Sequence, residues 1–190
     1  IEADDAIGTL ARIAAQSGHE VIISTGDKDL AQLVDAHVTL INTMSNERLD
    51  AAAVSAKFGV SPERIIDYLT LMGDAVDNVP GVPGIGEKGA RQLVAEFGSV
   101  EALLERASEV PRKAYREGLL AHRAQALLSK ELVTIHTDLP IEIHPESLQL
   151  DPPDAGLLRE LYPELEFFTL LAELDAAVSA GAEAPASGGG

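Results

Sequence analysis

The chain has no cysteine and no tryptophan, few aromatics, and far fewer cations than anions. Without cysteine, disulfides and thiolate metal sites are excluded; a reducing cytoplasm is compatible with this but does not follow from it. No apolar run is long enough to span a bilayer, and the opening IEADDAIG lacks a basic n-region, so neither a membrane segment nor a signal peptide is expected. The balance of 14 Lys and Arg against 31 Asp and Glu, a net charge of -17, argues against a simple nucleic-acid binder, whose usual footprint is basic. Two arrangements would reconcile such a chain with an anionic partner: carboxylates clustered on divalent metal, or cations gathered on one face. The first residue is isoleucine, not methionine, which suggests a piece of something longer.

What is present is a clear alternation of elements, long enough in total for one core and a lobe. Ile7, Leu10, Ala11, Ala14 and Ala15 recur at helical spacing, and Gly18 suits the helix end. His19–Ser24 reads as a buried strand, Asp29–Val34 as a short helix and Val38–Asn42 as a second strand, an order that predicts a parallel sheet. From Ala51 onward the pattern is helical: a start at Ser61-Pro62-Glu63, an amphipathic helix from Glu87 to Phe97 closed by Gly98, one capped by Ser99, and one from about Arg112 to Ser129. Leu132–Ile143 reads as an extended connection, and Asp154–Leu161 and Phe167–Val178 as two last helices. The tail GAEAPASGGG has linker composition and is expected to be disordered, which suggests that another domain follows.

Three acidic groups carry the chemistry. Glu2, Asp4 and Asp5 stand at the start of the first helix, where acids also serve simply to complement the helix dipole. Asp27 and Asp29 follow the first strand directly, the place where open α/β sheets collect ligands, although Asp29 could be only a helix cap and Lys28 a solvated charge. Asp74 and Asp77 lie in GDAVDN, where turn formation alone would explain them. Together they match the oxygen ligands that hard divalent cations require, and two-metal sites clamp the attacking and leaving oxygens of a phosphodiester.

The stretch Gly73–Ala90, GDAVDNVPGVPGIGEKGA, is the more specific signal. Gly81, Gly84 and Gly86 let backbone approach a phosphate closely, and the helix opening at Lys88 aims free amides at it, with Lys88 and Arg91 adding charge. Such a grip reads the sugar-phosphate backbone, not the bases. The plainer alternative is a tight interhelical turn without a ligand.

Taken together, EADD at 2–5, TGDKDLAQLV at 25–34, the whole 73–90 stretch and KELVTIHTDLP at 130–140 resemble the flap endonuclease/5′-3′ exonuclease family, the 5′ nuclease domains of bacterial DNA polymerase I. The likeness covers nearly all of the chain. It implies an α/β fold: a PIN-like parallel-sheet core, N-terminally truncated, in 1–50, a helical lobe in 51–178 with a helix-three-turn-helix at 73–98, and a disordered linker at 179–190. The implied activity is a magnesium- or manganese-dependent phosphodiesterase, with two ions, removing 5′ flaps and RNA primers at nicks in DNA during replication and repair. The implied setting is the bacterial cytoplasm at the nucleoid, away from membranes, with polymerase domains after the linker.

Carried over by motif, Glu2, Asp4 and Asp5 resemble the acids of the helix beside the metals, and Asp27 and Asp29 the strand-end pair, with Asp27 bridging both ions and Asp27 and Asp4 placed at the catalytic centre. Asp77 resembles a ligand of the second ion and Asp74 a nearby or outer acid. Gly81, Val82, Gly84, Ile85, Gly86, Lys88 and Arg91 resemble the duplex clamp, which in this family often carries potassium on its carbonyls. The family's first strand, with its aspartate, and its basic helical arch have no counterpart here, so weak metal binding and poor cleavage by this chain alone are expected. Two alternatives stand beside this reading: a non-catalytic duplex-backbone-binding module, and a fainter likeness of Asp27-Lys28-Asp29 with GDxxDN to haloacid-dehalogenase-type phosphatases, against which Asp29 and Asp74 stand too close together to hold a cap.

Overall fold

Helix α1 (Ala3–Gln16) starts where the Asp5 carboxylate reaches back to the Glu2 amide at 3.1 Å, and it ends before Gly18, which takes a positive φ of 85°. Strand β1 (Val21–Ser24) follows, then a 3-10 turn over Asp29–Leu33, then β2 (Val38–Asn42) lying parallel to β1 with Val21 opposite Val38. The computed structural model describes residues 2–143, 148 and 153–182.

The parallel pairing expected of the two strands is present between β1 and β2, and a third strand joins them. A tight turn with Asn46 at φ 56° brings β3 (Glu47–Leu49) back antiparallel to β2, so the sheet is mixed, in the order β1-β2-β3. Three residues, two of them charged, carry no alternation that could announce a strand; pairing with β2 creates it. Among the described residues no strand pairs with the outer edge of β1, and Ile22 on the face opposite Ile23 is 61% exposed.

Helix α2 (Ala51–Phe58) is capped by Asp50, whose Oδ1 accepts from the Ala53 amide at 2.8 Å, a contact worth about 1 kcal/mol. A 3-10 turn over Pro62–Arg64 leads into α3 (Ile65–Met72), the centre of the core: Ile65, Leu69 and Leu71 are at most 1% exposed. Truncating one of these to alanine costs about 2–5 kcal/mol. Around α3 pack α4 (Glu87–Phe97), α5 (Val100–Glu105) with its Ser99 cap and α7 (Arg123–Val133), and α6 (Lys113–Ala121) packs on α7.

The single helix expected from Arg112 to Ser129 is therefore two, broken at His122. Neither glycine nor proline marks the break. It lets Leu119 and Ala126 both reach full burial, and the Arg123 guanidinium crosses to the Leu104 carbonyl at 2.8 Å. The extended connection begins only at Thr134, after α7.

Residues 134–139 form a strap along α1. Buried Thr9 donates to the His136 carbonyl and accepts from the Leu139 amide, Arg12 Nε donates to the Thr137 carbonyl, and Asp5 Oδ1 accepts from the His136 amide at 2.9 Å. Gln32 anchors the strap's start, donating to the Val133 carbonyl and accepting from the Ile135 amide. Gly8 permits the approach: a Cβ there would stand 2.9 Å from Ile135 Cγ2.

The chain divides into two compact units, Ile1–Pro145 and Glu146–Gly190, so the boundary expected after residue 50 lies inside the first. The second unit is a helical hairpin of α8 (Ala155–Glu164), capped by Asp154, and α9 (Phe168–Ala182). Its turn has Glu166 at φ 58°, and Arg159 pairs with Asp175 at 2.8 Å across the two helices. Helix α9 continues through the first residues of the expected linker; 183–190 lie outside the described residues.

Candidate metal centre and phosphate-binding turn

Three separate pieces of backbone deliver carboxylates to one cleft. The N-terminus of α1 brings Glu2 and Asp4, the segment after β1 brings Asp27 and Asp29, and the loop after α3 brings Asp77. The cleft measures about 190 Å³, and Val79 and Leu132 supply its apolar wall. The strand end is shaped locally: the Asp27 amide donates to Thr25 Oγ1, and Asp27 Oδ1 then accepts from the Asp29 amide at 3.0 Å. The third group is shaped by a pinch, in which Asp74 and Val79 exchange backbone hydrogen bonds of 2.9 and 2.7 Å and leave Asp77 exposed within the loop.

Two expected ligands behave differently from the rest. Asp5 turns away from the cleft to bind the Glu2 and His136 amides; those bonds, the His136 one first, hold its carboxyl below the usual range. The Asp74 side chain is 8% exposed and bonds Lys28, the contact that mainly depresses its pKa. Yet one oxygen each from Asp29, Asp74 and Asp77 falls within 4.8 Å of the others, so Asp74 remains part of a cation-sized cluster. Lys28, which reads in the sequence as a solvated charge, instead lies among these acids, 3.3 Å from Asp29 Oδ1. The signal was its place between Asp27 and Asp29.

The cluster is electrostatically tense. Burial, then the charges of Asp27, Glu2, Asp5 and Asp77, push the Asp4 carboxyl above the ordinary aspartate value. Burial does the same to Asp29, with Lys28 working against it. The residues fit a divalent ion on their own evidence: the donors are hard oxygens, and Asp29 Oδ1 is buried without a hydrogen bond.

The Gly73–Ala90 stretch lies directly beyond. Gly73 at φ 74° and Gly81 at φ 61° touch backbone to backbone, and a Cβ on Gly81 would stand 2.6 Å from the Gly73 nitrogen. Helix α7 clasps the turn, since Ser129 Oγ accepts from the Gly81 amide and Gln125 donates to the Gly81 carbonyl. Val82 and Ile85 are buried anchors; the Val82 amide is spent on Leu71 and the Ile85 amide on Val82. Gly84, Gly86 and Lys88 are exposed, with open space where a Cβ on either glycine would stand. Gly86 gives α4 no side-chain cap, so its first amides and the positive end of its dipole are offered outward. Arg91 is committed elsewhere: it pairs with Glu87 and donates to the Lys57 carbonyl at 3.2 Å.

A mixed α/β core carries a carboxylate cleft beside an uncapped, glycine-led helix, and the chain belongs to the 5′-3′ exonuclease family. Residues 1–59 match its N-terminal resolvase-like domain and residues 60–156 its C-terminal SAM fold. The chain is 50% identical over 181 residues to DNA polymerase I of Pseudomonas aeruginosa, covering 92% of this chain and 20% of that protein. It is 43% identical over 174 residues to the 5′-3′ exonuclease of Aquifex aeolicus, covering 92% and 59%. The chain thus spans about a fifth of the polymerase and less than two thirds of the exonuclease. Among solved structures, T5 5′-exonuclease with bound zinc superposes with a TM-score of 0.67 at 25% identity, over 72% of this chain and 51% of that one. The bacteriophage T5 flap endonuclease in complex with DNA and metal ions gives 0.67 at 24%, over the same shares. The fold is PIN-like, and nothing in these comparisons favours the phosphatase alternative.

Proposed function

We propose that this chain is the nuclease part of a divalent-metal-dependent 5′-3′ exonuclease and flap endonuclease acting on DNA. The observation that supports it best is the convergence of Glu2, Asp4, Asp27, Asp29 and Asp77 on one cleft, joined by the single loop 73–86 to the uncapped start of α4. Magnesium or manganese, as two ions, fits the oxygen donors; when bound, such ions activate the attacking water and steady the leaving oxygen. Asp27 and Asp4 are the residues assigned to the reacting centre, Glu2, Asp29 and Asp77 to holding the ions, and Asp74 to a supporting position. Asp5 positions α1 against the strap.

The protein's own share is to hold the substrate. The α4 amides, Gly84, Gly86 and Lys88 receive a backbone phosphate of the duplex, and Gly81, Val82 and Ile85 hold the turn in shape. Arg91 braces α4 against the Lys57 carbonyl. Potassium on the carbonyls of this turn belongs to the same reading. So do RNA primers and nicked or 5′-flapped DNA as substrates, polymerase domains following in the full-length protein, and a place in the bacterial cytoplasm with the nucleoid.

The test uses the full-length protein with a 5′-flapped duplex and magnesium. Asp27→Ala should abolish cleavage while leaving duplex binding within about twofold, because phosphate contacts and metal ligands are separate groups. Metal-dependent cleavage that survives Asp27→Ala would refute the assignment. A wild-type protein that binds the duplex without cutting it would make this a binding module instead.

A further inference from the structure

Lys28 occupies a peculiar position for a cation beside a metal cleft. Its Nζ bonds Asp74 Oδ2 and lies 3.3 Å from Asp29 Oδ1, while oxygens of Asp29, Asp74 and Asp77 crowd within 4.8 Å of one another. The Asp29 and Asp74 side chains are only 15% and 8% exposed, so water compensates them poorly. Three carboxylates at such distances repel one another, and a positive charge among them relieves that repulsion. In the metal-free protein Lys28 is that charge.

The hold is incomplete. The contact to Asp29 Oδ1 lacks hydrogen-bond geometry, leaving that buried oxygen unpaired. Lys28 is also 35% exposed on a flexible four-carbon stem, so its head can leave without disturbing the core. An ammonium offers three donors to oxygens a hard divalent ion would bind at shorter range and with twice the charge.

We infer that Lys28 is an internal counterion: it holds the Asp29–Asp74–Asp77 oxygens together in the metal-free protein and gives them up when a divalent ion binds. This rests on the metal-dependent reading above. It makes Lys28 a positioning residue, whose removal improves ion binding while weakening the metal-free fold. A lysine that merely scaffolds the ligands would do the reverse, since its loss would scatter them.

The experiment is a titration of the full-length protein with Mn2+ alone, by calorimetry and by paramagnetic resonance of free Mn2+. Wild type, Lys28→Met, Lys28→Gln and Lys28→Arg are compared at fixed pH and ionic strength. Met and Gln should bind the ion at this cluster about tenfold more tightly, as expected for removing one competing charge in contact. Arg should stay within about threefold of wild type, since it keeps the charge. Metal-free Lys28→Met should melt lower than wild type, and saturating Mn2+ should close that gap. Unchanged or weaker Mn2+ affinity in the Met and Gln variants, with native circular dichroism, overturns the inference and leaves the nuclease reading standing. Absence of Mn2+ binding in wild type overturns both.

Discussion

The Lys130 ammonium lies 3.1 Å from Oδ1 of Asp67, a carboxylate only 4% exposed that also accepts from the Val100 amide at 2.9 Å. One side chain thereby ties α3, α5 and α7 together, with Arg64 reaching Oδ2 at 3.4 Å and Glu101 sharing Lys130 at 2.8 Å. Asp67→Ala removes a buried partner and orphans the Val100 amide. The expected loss is about 3 kcal/mol, the low end for a broken buried pair because Lys130 keeps Glu101 and some solvent. Asp67→Asn, which can still accept from Val100, should lose about half as much. Urea unfolding of both variants checks the ratio; equal losses would mean the charge carries no part of it.

The two glycines at the root of the Gly73–Ala90 turn are constrained by different neighbours than those at its tip. Gly81→Ala drives a Cβ into the backbone of Gly73 and Met72 and should cost more than about 3 kcal/mol or prevent folding. Gly84→Ala meets nothing within 4 Å and bears only the positive-φ penalty at 85°, about 1 kcal/mol. Thermal melts of the pair distinguish close approach from backbone preference. Comparable losses would discount the Gly73–Gly81 contact.

Metal and pH act on the same acids. Because Asp4 and Asp29 titrate above the ordinary aspartate value, their contribution to metal-free stability declines as pH rises through that value toward the raised ones. Asp74 and Glu101 work in the opposite sense: held low, they stabilise above the ordinary carboxylate values, and that gain is lost as pH falls through their depressed ones. The increment in melting temperature caused by Mg2+ isolates the cleft. It should grow as pH rises above the ordinary aspartate value, where Asp4 and Asp29 ionise and become free to bind. An increment independent of pH would remove these two residues from the ligand set.

Lys88 and Arg91 separate two roles within one helix turn. Lys88→Ala should weaken duplex binding and lower the salt slope by about one, the signature of one lost phosphate contact. Arg91→Ala removes the bond to the Lys57 carbonyl and the packing over Gly59, so its main effect should be a loss of about 1 kcal/mol in stability. Salt-dependent binding curves and melts on both proteins check this. A larger change of slope in Arg91→Ala would reverse the assignments.

Much of this was legible along the chain. The bounds of α4 follow from its apolar spacing, its glycine-led start and Gly98, and the acids of three motifs offer the hard oxygens that divalent cations take. Local pattern determines such things because capping, periodicity and turn preference act within a few residues. Tertiary structure decided the rest. It paired Glu47–Leu49 with β2, split the long helix at His122 and placed Lys28 against Asp74. It also drew Asp5 out of the cleft, to an amide 131 positions away in the strap. Which oxygen meets which partner depends on long-range packing around α3, and a carboxylate in sequence carries no record of the charge that will face it. The residue types fixed the kind of chemistry; the fold assigned each acid its part in it.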